Sequence, residues 1–116
     1  MSFPVHITFR NMQASASVEA LVRRRAEDLV QFAPRISACN VVLDCLHPQN
    51  HLGRPYGVHI DLAVPGGTVV VNRDAGGNHA RTDLTMAVRD AFDTARRQLQ
   101  EHNRRMERAE KRRAMK

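Results

Sequence analysis

Residues 83–105, reading DLTMAVRDAFDTARRQLQEHNRR, are the longest regularly periodic stretch of the chain. Leu84, Val88, Ala91, Phe92, Ala95 and Leu99 recur at spacings of three and four. At about 100° per residue this gathers them into one narrow stripe of a helix. Such a stripe must be buried, so the rest of the chain has to supply a surface that covers it. On the same wheel Arg89 and Arg96 flank the stripe and Arg97 and Arg104 lie almost opposite, with Asp90 and Asp93 interrupting the basic surface. Thr82 or Asp83 can accept bonds from the free first-turn amides, and Asp83 also opposes the positive end of the helix dipole. Arginines so placed usually form nothing more than a solvated face. They become a candidate binding surface only if the remaining sequence points the same way.

The covering surface reads as a sheet. Val5, Ile7 and Phe9 alternate with His6, Thr8 and Arg10, the period of two of a strand with one covered face. Ser15 or Ser17 can cap a following helix whose stripe is Val18, Val22, Ala26, Leu29 and Ala33, helped by Leu21 and Phe32 and ended by Pro34. Within its Arg23-Arg24-Arg25 run, Arg24 points outward while Arg23 and Arg25 flank the buried stripe. Cys39, Val41, Leu43 and Cys45 share one parity of a second strand within residues 36–46, so both cysteines should face the core. The segment HPQNHLGRP reads as a loop; then Tyr56, Val58, Ile60, Leu62 and Val64 alternate with Gly57, His59, Asp61 and Ala63. Pro65-Gly66-Gly67 makes a tight reversal into a fourth strand over residues 68–73, which predicts a hairpin. A Gly-rich connector, DAGGNHAR, leads to the last helix and lacks the context of a phosphate loop.

The order β-α-β-β-β-α, with apolar residues on one parity of each strand, predicts an α+β fold in which two helices pack on one face of a four-stranded sheet. The first two strands should be parallel if they are neighbours. The other face is left polar, carrying His6, Thr8, Arg10, Asn40, Asp44, His59, Asp61 and Asn72.

At 116 residues and 42% hydrophobic content, the chain suits one core and one domain. Its charge is uneven: residues 100–116 hold seven Arg or Lys and three Glu, +4 of the total +6, and the first 99 residues carry +2. The domain is therefore placed at residues 1–105, and residues 106–116 form a basic tail that either extends the last helix or stays disordered. A basic chain favours polyanionic partners, and the excess of Arg over Lys favours phosphate, which the guanidinium fork binds in a bidentate way. The two cysteines make no disulfide framework, and no run approaches the roughly 18 apolar residues of a membrane span. A cytoplasmic protein without a membrane partner is the expectation.

Three segments, ITFRN at residues 7–11, VPGG at residues 64–67 and AVRDAFDTARRQL at residues 87–99, occur in order on this pattern and resemble the short form of the ribosome hibernation-promoting factor family, also called the YfiA or ribosome-associated inhibitor family. The resemblance covers about residues 3–105. It implies a fold similar to double-stranded RNA-binding domains, and a partner, the ribosomal RNA of the small subunit. It also implies binding in the decoding region, which keeps ribosomes inactive under stress. By the resemblance Arg10, Arg25 and Arg97 stand where the family has basic residues. Arg24, Arg89, Arg96 and Arg104 join them from the helical wheel. Asp28, Gln31 and Thr94 stand where the family often has Lys, and Thr85 where it usually has Tyr.

Two other readings compete. A metal or enzyme site would draw on Cys45, His47 and His51, or on His6 and His59 across the open sheet face. Only His47 and His51 have a ligand-like spacing, and no CxxC or catalytic triad motif accompanies them. No enzyme, cofactor or small-molecule substrate is therefore expected. The second is a general structured-RNA-binding or protein-interaction module that does not act on ribosomes. Four of the five aromatics have core parity, which leaves no stacking platform for single strands, so recognition would rest on phosphate and shape.

Overall fold

Alternation at the start of the chain becomes β1 (Val5–Arg10), with Val5, Ile7 and Phe9 turned inward and His6, Thr8 and Arg10 exposed. The computed structural model describes residues 3–45, 56–73 and 84–114, and the two connecting segments read as loops, with the Thr82 and Asp83 caps, lie outside them. Ser15, not Ser17, caps α1 (Ala16–Asp28): its backbone is extended, its Oγ accepts from the amide of Val18 at 3.4 Å, and its carbonyl accepts from Glu19 at 2.9 Å. The α-helix is shorter than its apolar stripe. After Asp28 the chain tightens into a 3₁₀ turn at Leu29–Gln31, where the carbonyl of Leu29 takes the amides of both Phe32 and Ala33 at 2.9 Å. Pro34 supplies no amide to carry the ladder on. Leu29 and Ala33 still reach the core through this turn, but Phe32 is only half-buried.

Three more strands, β2 (Ala38–Cys45), β3 (Tyr56–Val64) and β4 (Gly67–Arg73), complete a sheet of order β1-β2-β3-β4. β1 and β2 are parallel, the other pairs antiparallel, and Thr8, Val42, His59 and Asn72 line up across all four strands. At the β3–β4 turn Gly66 has φ +86°, a left-handed conformation. A Cβ there would also sit 2.9 Å from the Sδ and Cε of Met106, so the backbone conformation favours glycine and any larger residue would push the end of the Met106 side chain aside.

α2 (Leu84–Ala114) has 31 residues: of the two states left open for the basic tail, it takes the helical extension, through Ala114. It packs on β3 and β4, α1 packs on β1, and the helices touch each other, so both lie on one face. The core joins Val22 and Ala26 of α1, alternate residues of the strands, and Ala87, Val88, Ala91, Phe92, Ala95 and Leu99 of α2, all buried. Cys39 and Cys45 are free thiols within it. Burial, with a smaller contribution from the charge of Asp61, pushes the Cys39 thiol up to about 12, as expected for a packing residue.

Candidate nucleic-acid interface

Beyond Leu99 no residue of α2 is buried, and three contacts end its attachment to the body. The ring of His102 lies 2.9 Å from the carbonyl of Pro65, Asn103 Nδ2 donates to the carbonyl of Phe32 at 2.7 Å, and Met106 covers Gly66. Residues 107–114 then continue as a helical arm that is exposed except at Ala109. The molecule measures 60 × 31 × 17 Å. At about 1.5 Å per residue α2 alone spans about 46 Å, so the long dimension follows the helix.

Since α1 carries the chain from the end of β1 back to the start of the parallel β2, it runs against the strands. The later part of α2 meets both the end of α1, at Phe32, and the β3–β4 turn, at Pro65. The two helices therefore run in the same direction, side by side. Arg24 and Arg89 are exposed and make no hydrogen bond or ion pair among the described residues, and Arg25 is half-buried. Arg96 lies over the ring of Phe32, 5.6 Å from its centroid, so part of its attraction is already used at the seam between the helices. Arg97 donates to Thr94 Oγ1 at 3.3 Å, and Thr94 in turn donates to the carbonyl of Asp90 at 3.1 Å, which steadies the guanidinium without neutralising it. Arg104 and Arg105 share the single carboxylate of Glu101, at 3.2 and 3.6 Å. Two cations to one anion leave an excess of positive charge, and pairs this exposed contribute little to stability.

Arg23, in the same run as Arg24 and Arg25, has a structural task. It pairs with Glu19 at 3.1 Å and donates to the carbonyl of Val5 at 3.2 Å, fastening α1 to the edge strand. Arg10 is separated from the other candidates: it lies on the open face of the sheet, with Val42, His59 and Asn72, and the helices occupy the opposite face.

The arm adds two basic residues, Arg108 and Lys111, whose role was not apparent from the sequence. Arg97, Arg104, Arg108 and Lys111 fall within about 60° of one another around the helix. They form a ridge about 21 Å long. Their spacings of seven, four and three are visible in the sequence; what conceals them is the fading of the apolar stripe, which leaves the helical state of the tail open. Asp90 and Asp93 interrupt the first half of α2; in the second half Glu101, bridged to Arg104, sits beside the ridge between Arg97 and Arg104, and cations outnumber acids from there to the end of the helix. Such a row of guanidinium and ammonium groups can meet successive phosphates of a nucleic-acid backbone. Among the described residues no group of three or more His, Cys, Asp or Glu could hold a metal ion, and His47 and His51 lie outside them. No described helix is long and apolar enough to cross a membrane.

The fold and this surface define a small α+β domain with a basic helical face. Over residues 5–107 the chain matches the family model described as sigma 54 modulation protein / S30EA ribosomal protein, and it belongs to that family. Its fold is that of the Thermus thermophilus Protein Y N-terminal domain, with a TM-score of 0.67 and 20% identity, covering 88% of this chain and 99% of that one. A ribosomal subunit interface protein from Coxiella burnetii is similar at a TM-score of 0.64 and 15% identity, covering 87% and 98%. Comparison with curated proteins gives no match.

Proposed function

We propose that this protein is a ribosome-associated translation inhibitor of the cytoplasm. It binds ribosomal RNA in the decoding region of the small subunit and holds ribosomes inactive under stress by occupying the path of messenger and transfer RNA. The mechanism is occupancy, not catalysis. The observation that carries this reading is the ridge of Arg97, Arg104, Arg108 and Lys111 on the outer face of α2, in a chain that belongs to the S30EA family. The Coxiella burnetii neighbour, a ribosomal subunit interface protein, supports the same partner. A ridge opposite the buried stripe leaves the core untouched when it meets phosphate, so binding needs no unfolding of the body.

Cosedimentation with purified small subunits across a salt series, beside an unrelated duplex RNA of equal phosphate content, tests the proposal. Preferential pelleting with subunits that persists as salt rises is expected. Equal binding to both RNAs, disappearing in parallel with salt, would instead identify a general structured-RNA binder.

A further inference from the structure

The segment ITFRN ends in two residues that the helix surface does not use, and both point to the uncovered face of the sheet. Arg10 and Asp44 are partners in the register of β1 and β2, and Asp44 lies opposite Gly57 of β3. Around them is a cavity of about 310 Å³, lined by Arg10, Val42, Asp44, Gly57, His59 and Asn72. Asn11, next to Arg10, has φ 55°, a left-handed conformation that Asn tolerates better than most residues. That bend brings its Nδ2 to Asp44 Oδ1, at 3.0 Å. One carboxylate oxygen is thus held in place, while the other, like the guanidinium of Arg10, has no hydrogen-bond partner among the described residues. His59 is steadied in turn by Asp61 at 3.0 Å.

We propose that this cavity is a binding pocket for an unpaired guanine base. A free guanidinium only donates and a free carboxylate oxygen only accepts, and here they stand side by side. Guanine presents the matching edge: N7 and O6 accept from arginine, and N1–H and N2–H₂ donate to a carboxylate. Adenine has a single donor group there, and the carboxylate of Asp44 in the lining repels a bare phosphate. Val42, half-buried between the polar groups, gives the ring an apolar floor. Gly57 places no side chain over it. The base can come from a single-stranded stretch of RNA, which rests on the RNA-binding reading above, or from a free guanine nucleotide, which does not.

The test is a titration of the full chain, followed by the side-chain amide resonances of Asn11, with the pentaribonucleotides UUGUU and UUAUU, with GMP and with inorganic phosphate. UUGUU should bind about 10-fold or more tightly than UUAUU, the discrimination of one good bidentate base contact. Arg10→Ala and Asp44→Asn, each checked for an unchanged melting temperature, should abolish that preference. Arg97→Glu should weaken both oligonucleotides equally and leave the preference intact, so a failed helix surface and a failed pocket give different results. GMP binding as tightly as UUGUU would support the pocket and assign it to the free nucleotide. Equal affinity for the two oligonucleotides, an Asn11 response to phosphate alone, or a preference that survives Asp44→Asn would overturn the proposal.

Discussion

The two halves of α2 are built from one unbroken helix and do opposite work. From Leu84 to Leu99 one side is buried in the core, and the outer side is broken by Asp90 and Asp93. From Gln100 to Ala114 nothing is buried, and the charge turns strongly basic. Stability is thus concentrated in the half with little net charge, and charge in the half with little stability of its own. An isolated arm of that length would be a marginal helix in water. Here it inherits its nucleus from the buried half and is fastened by His102, Asn103 and Met106 at the point where burial stops. A basic segment continued as a helix presents its cations in a fixed row, which a disordered tail of the same composition would not do.

The sharpest way to break this division is to attack the buried half. Phe92 is 3% exposed, so Phe92→Ala should cost about 3–5 kcal/mol, read by chemical denaturation. A loss comparable to that of a surface substitution would mean that the stripe does not carry the stability. On the other half, Arg97→Glu should leave the melting temperature unchanged and weaken ribosome binding by about 2–4 kcal/mol at low salt, less as salt screens it. Its counterpart is a chain ending after Asn103, which removes the arm's cations and the packing of Met106 on Gly66. It should melt close to the full chain and show a flatter salt dependence, by about 0.7–0.9 in log–log slope for each phosphate that the arm no longer neutralises. Complete loss of binding on truncation, with Arg97→Glu binding normally, would make the tail the anchor and remove the ridge from the site.

A pH-dependent effect also separates the body from the arm. In the unfolded chain the Cys39 thiol ionises near 9, but in the folded protein only near 12. Between those values the unfolded state has released a proton that the folded state keeps, so stability falls as pH rises, by up to about 1.4 kcal/mol per pH unit. Comparing unfolding of the wild type and Cys39→Ala over this range isolates the contribution, since the variant should show a shallower fall. Parallel curves would mean that Cys39 is not sealed in the core.

The sequence disclosed the body more fully than the surface. Strand parity and the spacing of Val88, Ala91, Phe92 and Leu99 report burial directly, because each buried position must be apolar, and the element order and both cysteines are placed accordingly. The limits of the helices were harder to see. α1 yields to a 3₁₀ turn at Leu29 for tertiary reasons, and α2 runs on through residues whose composition suits helix and disorder equally. The arginines were the least legible. Arg23, Arg24 and Arg25 are identical letters with different tasks, and only the positions of Val5 and Glu19 show that Arg23 is committed. Strand parity already set Arg10 on the polar sheet face away from the helix cations; what it could not show is the register that places Arg10 beside Asp44 and the bond by which Asn11 holds that carboxylate.

The least effect is expected where the two halves of α2 meet. Asp93 is exposed on the last turn before Arg97, four residues away and on nearly the same side of the helix. Side chains at that spacing are about 5–6 Å apart at Cβ, inside the Debye length of about 10 Å at 0.1 M salt. It buries nothing, so Asp93→Ala should change stability by less than about 0.5 kcal/mol. Binding should respond in the other direction from every substitution above: removing an anion beside Arg97 takes away repulsion toward phosphate, and affinity should rise by a few tenths of a kcal/mol. That gain should vanish at high salt and be absent when Arg97 is already Glu, since the two charges act on the same phosphate. Cosedimentation of the single and double variants at two salt concentrations measures it. An increase that is independent of Arg97 would show that Asp93 repels RNA directly, and that the binding surface extends into the first half of the helix.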